Sequence, residues 1–110
     1  MPDKEIVVPV EVSVHFRSDL PRVEAITHEV AVGVMKEVPG GVPAFEPVVR
    51  FHTLGDSGIG LTVALRAREV ADQLTVKHEF IKRLVARYDK EGIVIPYPVR
   101  ALNRTQERGA

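Results

Sequence analysis

From Ile6 to Phe16 every second residue is apolar: Ile6, Val8, Val10, Val12, Val14 and Phe16. In an extended chain alternate side chains point to opposite faces, so these six share one face and need an apolar cover. Glu11, Ser13, His15 and Arg17, which interleave with them, keep the second face wet from the middle of the run onward. The pattern predicts a strand buried on one side only, as in an antiparallel sheet roofed by helices. Pro9 cannot donate a ladder hydrogen bond, which predicts that the first half of this strand lies at an edge or leads in from a linker.

The next segment supplies the roof. Ser18 and Asp19 offer N-cap oxygens, Pro21 suits a first helical turn, and Val23, Ile26, Val30 and Val34 recur at helical spacing. The Val38–Pro43 stretch VPGGVP ends that helix. A second strand is predicted from Val48 to Leu54, and a third in which Leu61, Val63, Leu65 and Ala67 alternate with polar or small residues. A second helix, with Asp72 or Thr75 as its cap, carries Val76, Phe80, Ile81, Leu84, Val85 and Tyr88 on one broad stripe. Glu79 and Arg83 are spaced for an i,i+4 pair on its wet side, and Gly92 ends it. IVIPYPVRAL, held open by Pro96 and Pro98, is the last extended segment. The order β-α-β-β-α-β predicts an α+β fold of the ferredoxin-like kind: a four-stranded antiparallel sheet with two helices on one face. Residues 1–5 read as a disordered lead-in, 6–102 as a single domain and 103–110 as a flexible tail.

Bulk properties narrow the function. The chain has 110 residues, room for one domain and one core. Fifteen Lys plus Arg balance fifteen Asp plus Glu, so no long-range field gathers nucleic acid or anionic lipid. With 0 cysteines, disulfides, thiolate catalysis and Cys-type zinc sites are excluded together. No apolar run approaches the ~20 residues that span a bilayer, so the chain is expected to be soluble as it stands.

One tetrapeptide raises the question of catalysis. Gly55-Asp56-Ser57-Gly58 is the string around the nucleophile of many serine proteases. Ile59 stands where both that motif and the G-x-S-x-G elbow need glycine, and a strand rather than a helix comes next. Gly55, Asp56, Ser57 and Gly58 therefore read as a hairpin turn, with Gly55, Gly58 and Gly60 supplying positive φ and Asp56 closing an Asx-turn. His28-Glu29 and His78-Glu79 each begin like H-E-x-x-H, but Val32 and Lys82 replace the second ligand, so no metal site is predicted. Gly58-Ile59-Gly60 opens a strand, not a helix, and is no dinucleotide fingerprint. No cofactor is expected. On the sheet face turned from the helices the parity places His15, Arg17, Arg50, His52, Arg66 and Arg68. Base stacking needs aromatics there, and this face offers only histidine, so no nucleic acid is expected.

Pro47–Arg100 carries a further signal. The strings EPVVRFHTLGDSGIGLTVALRAREVADQ and VKHEFIKRLVARYDKEGIVIPYPVR, and above all EGIVIPYP from Glu91 to Pro98, resemble the C-terminal cytoplasmic domain of the small-conductance mechanosensitive channel (MscS) family. The first half is similar in pattern to the strand and helix that precede these strings in that family. Two departures stand out: Val99 where the family often has Gln, and little apolar material after Leu102 for the family's small closing β-barrel. The membrane helices and middle β domain that precede this domain in the family lie outside the chain.

The resemblance implies a non-enzymatic role. Seven copies would form the lower wall of a cytoplasmic vestibule below a tension-gated pore that answers hypo-osmotic shock. Membrane contact would come only through upstream segments, at the cytoplasmic face of the cell membrane. An extended final segment invites pairing with another chain, which makes Ile95, Tyr97, Val99, Arg100 and Leu102 the expected subunit contacts. The alternative is a free-standing ferredoxin-like regulatory module that binds a small ligand on a face bearing Arg17, Arg50, His52, Arg66 and Arg68.

Overall fold

In a computed structural model of the chain, the structure describes residues 5–96. The alternating run forms β1, Ile6–Val14, and Val8, Val10 and Val14 are buried as the pattern requires. Phe16 lies beyond the strand end and is exposed. The chain turns there because Ser18 N–H donates to the His15 carbonyl and Arg17 N–H to His15 Nδ1.

Helix α1, Leu20–Glu37, starts at Asp19, whose carboxylate accepts from Arg22 N–H at 3.4 Å, with Pro21 in the first turn. Val23, Ile26, Val30 and Val34 form its buried stripe, joined by Thr27, Ala31 and Met35. Strands β2, Val48–Leu54, and β3, Ile59–Ala67, come next, and then α2, Gln73–Glu91. The sheet order is β1-β3-β2 with both pairs antiparallel. Leu61, Val63, Leu65 and Ala67 of the central strand are fully buried in one cluster with both helices.

Of the two expectations for Pro9, the edge position holds among the described residues, where β1 is an outer strand. Val14 C=O lies on the β3 side, within 2.4 Å of where a Cβ on Gly58 would sit, while His15 N–H points away to Val94 O. Ladder groups alternate sides along a strand, so the odd residues of β1, Pro9 among them, turn theirs to the free edge. The missing N–H removes nothing from the β1–β3 ladder.

Four expectations need correction. The sheet has three strands among the described residues, not four. Ile93–Pro96 carries only one backbone bond to β1, from His15 N–H to Val94 O at 2.9 Å, and Pro96 has no N–H to extend the ladder. Neither Asp72 nor Thr75 caps α2 with its side chain. A short 3-10 turn, Val70–Asp72, leads into the helix, and the Asp72 side chain packs against Gly40 instead. The α2 stripe is narrower than expected: Val76, Phe80, Leu84 and Tyr88 are buried, whereas Ile81 and Val85 are 42% and 49% exposed. Glu79 pairs with Lys82, and Arg83 reaches across to Glu37 on α1, because the facing helix supplies a nearer carboxylate.

Thr27 and Tyr88 close the helix pair with a buried hydrogen bond between their hydroxyls. Burial pushes the Tyr88 phenol above its usual value, and the bond from Thr27 partly opposes that. Thr27→Val is expected to destabilise by about 1–3 kcal/mol, since it strands a buried hydroxyl. Urea unfolding would check this, and a midpoint equal to wild type would remove the bond from the stabilising contacts. At the helix ends Glu91 accepts from Arg87 and Arg22, and Arg87, chiefly, holds its carboxyl below the usual carboxylate range.

Candidate functional site

The GDSG segment joins β2 to β3, where Gly55 N–H donates to Gly58 O at 2.8 Å. Ser57 forms no side-chain hydrogen bond among the described residues, and three of the four histidines have other partners. His15 Nδ1 accepts from Arg17 N–H, His28 meets Glu46, and His52 meets Glu11 and Thr62. His78 lies exposed on α2. Among the described residues no histidine hydrogen-bonds to Ser57, as an activated nucleophile would require.

The reason for the glycines differs from the expected one. Positive φ occurs at Gly40 and Gly92, not at Gly55, Gly58 or Gly60. Gly58 is small because the backbone of β1 runs against it: a Cβ would lie 2.4 Å from Val14 O and 2.8 Å from Pro96 Cγ. That close approach between distant segments has no local signature. No side-chain hydrogen bond from Asp56 closes an Asx-turn among the described residues either.

On the open face of the sheet, register brings Glu11, Thr62 and Arg50 into one row across all three strands. Thr62 Oγ1 donates to Glu11 Oε2 at 2.8 Å, and His52 Nε2 lies 2.8 Å from Thr62 Oγ1 and 3.2 Å from Glu11 Oε1. A bulge between Phe51 and Thr53 puts His52 and its neighbour Thr53 on this face, where they share a hydrogen bond. Sequence spacing carries no sign of this cluster. Arg66 is partly buried: its Nη1 donates to Glu5 at 3.3 Å and its guanidinium stacks 4.7 Å from the centre of the Phe45 ring. Arg17, Arg50 and Arg68 are exposed and form no ion pair among the described residues. Three of the expected face residues, His15, His52 and Arg66, thus already have protein partners. Among the described residues no group of three His, Asp or Glu could hold a metal, and no helix is long and apolar enough to cross a membrane.

The sheet edge offers a different surface. Val10, Glu11, Val12 and Ser13 of β1 and Ile81, Leu84 and Val85 of α2 line a mostly apolar groove of about 190 Å³, and Ile95 completes its lining. Ile95 is 41% exposed. Tyr97, Val99, Arg100 and Leu102, the other expected contact residues, lie outside the described residues.

Known proteins share this fold. A family model described as the C-terminal domain of the mechanosensitive ion channel MscS matches residues 8–95. The fold is similar to that in the closed-state crystal structure of Helicobacter pylori MscS, at 19% identity and a TM-score of 0.66, over 86% of this chain and 36% of that one. It is also similar to the cryo-EM structure of wild-type AtMSL1, at 15% identity and a TM-score of 0.58, over 86% of this chain and 33% of that one. The chain thus spans about a third of the length of either structure. No curated protein sequence matched.

Proposed function

Because the chain belongs to the MscS mechanosensitive ion channel family, whose C-terminal domain it matches across residues 8–95, we propose that it builds part of the cytoplasmic vestibule wall of a tension-gated pore. In that role it answers hypo-osmotic shock by shaping the path solutes take to the pore, and it performs no catalysis. It acts at the cytoplasmic face of the cell membrane, as one of several identical subunits, with seven the number the family implies. The observation that carries this reading is the family match, which runs through nearly every described element. The order β1-β3-β2 and the single core shared with both helices support the ferredoxin-like connectivity expected of residues 6–102.

Subunit contact is assigned to Ile95, Tyr97, Val99, Arg100 and Leu102. Its support is the exposed apolar surface around Ile95, beside a sheet edge with no strand partner among the described residues, which invites a partner. The alternative, a small-ligand module on the arginine-bearing face, draws less support, since Arg66 and His52 are engaged by Glu5 and Glu11.

Native mass by light scattering, across a concentration series, tests the assembly role. A ring-sized species near seven copies is the expected result. A monomer at every concentration would overturn the claim that this domain carries assembly contacts.

A further inference from the structure

The two helices are laced together by charge. Arg22, Glu29 and Glu37 of α1 pair with Glu91, Arg87 and Arg83 of α2 at 2.8, 3.3 and 2.9 Å. Within α2, Arg87 Nε also donates to Glu91 Oε2 at 2.8 Å, one turn away. Glu29, Arg87, Glu91 and Arg22 therefore form one line of alternating sign, in which every neighbour attracts. An isolated exposed ion pair contributes little, because water and salt screen it and two long side chains must be ordered. Here the middle of the line is sheltered, since the Arg87 and Glu91 side chains are 28% and 25% exposed, and each partner held in place orders the next.

The line ends on backbone as well as on a carboxylate. Arg22 Nη2 donates to the Glu91 carbonyl at 2.9 Å and to Glu91 Oε1 at 2.8 Å. Glu91 is the last residue of α2, where carbonyls have no partner inside the helix. Gly92, at φ 76°, then turns the chain, Ile93 N–H closes on Tyr88 O at 2.9 Å, and Val94 O accepts from His15 N–H. One guanidinium from the start of α1 thus grips the residue from which the chain leaves α2. Arg87, chiefly, holds the Glu91 carboxyl below the usual carboxylate range, so the grip keeps its charge at neutral pH.

Screening decides how firm that grip is. The Debye length is about 30 Å at 0.01 M salt, about 8 Å at 0.15 M and about 3 Å at 1 M. The outer members, Arg22 and Glu29, have side chains 45% and 68% exposed and so feel the solvent's ions most. We propose that Arg22, Glu29, Arg87 and Glu91 form an ionic-strength-sensitive clamp, which tightens the exit of the chain from α2 as salt falls and loosens it as salt rises. Water entry during hypo-osmotic shock dilutes the cell's ions, so the clamp is tightest under the condition that the channel answers. That use rests on the channel reading above; the clamp itself is a property of the domain.

Amide exchange on the full chain, followed by NMR at about 20 mM and about 500 mM KCl and constant pH, tests this. Each rate is referred to that of an unstructured peptide of the same local sequence in the same salt. The Ile93 and His15 amides, whose bonds hold the exit segment, should exchange at least about threefold more slowly at the lower salt. Arg22→Gln and Glu91→Gln should each bring that ratio close to one. Arg83→Gln, which cuts only the pair with Glu37, should keep it. The Val63 amide, in the central strand, reports global unfolding and should change less than the exit amides. A smaller ratio in the wild type would overturn the proposal, as would a ratio that survives both substitutions or a Val63 amide that changes as much. Sucrose at the osmolality of the higher salt should not loosen the exit; if it does, water activity rather than charge is sensed, and the clamp is overturned. Light scattering reports assembly and exchange reports the clamp, so either reading can fail without the other.

Discussion

Phe80→Ala is expected to lower the unfolding free energy by about 3–5 kcal/mol, a large part of the roughly 5–15 kcal/mol that a domain of this size possesses. Phe80 is fully buried in the cluster that both helices share with β3, at the centre of the stripe Val76, Phe80, Leu84 and Tyr88. Truncating the ring removes apolar burial and leaves a cavity that three packed elements cannot close without moving together. The neighbouring Ile81 is the informative contrast. It is 42% exposed, so Ile81→Ala should cost well below the ~2–5 kcal/mol usual for a buried isoleucine. Urea unfolding of both variants, with unchanged m-values, measures the difference. Equal losses at the two positions would mean that the buried stripe of α2 is placed wrongly.

Gly58→Ala should be the most damaging change in the β2–β3 connection, at about 1–3 kcal/mol, the range for forcing extra atoms into a packed site. The added methyl carbon would sit 2.4 Å from the Val14 carbonyl oxygen and 2.8 Å from Pro96 Cγ. The first of these is backbone, held in the strand that pairs with β3, and cannot swing aside as a side-chain tip would. Ser57→Ala, one residue earlier, touches no hydrogen bond among the described residues and should stay within about 0.5 kcal/mol of wild type. A nucleophile reading of this segment makes the opposite ranking, with Ser57 the sensitive position in an activity assay. Thermal or urea unfolding of the two variants settles the stability order. A Gly58→Ala protein as stable as wild type would show that β1 is not pressed against this turn.

Much of the architecture is legible in local periodicity. The alternation from Ile6 to Val14, the spacing of Val23, Ile26, Val30 and Val34, and the stop at Gly92 each arise from constraints within a few residues. Such constraints set an element's type and its buried face, because a period of two or 3.6 is a property of one segment alone. The closing motif EGIVIPYP likewise carries the family in its residues, and the matched region 8–95 ends inside it.

Other features depend on which segments become neighbours. The link between Thr27 and Tyr88, the row of Glu11, Thr62 and His52, and the stacking of Arg66 on Phe45 join residues far apart in the chain. No spacing announces them. The stripe on α2 is broader in the sequence than in the core because apolar character records what a side chain tolerates, whereas burial depends on what lies opposite; among the described residues β1 is the outer strand there, and Ile81 and Val85 overhang its edge. Gly58 illustrates the division most simply. Its presence in a turn is set by the sequence alone, but the requirement for glycine there comes from the Val14 carbonyl, brought against it only when β1 pairs with β3.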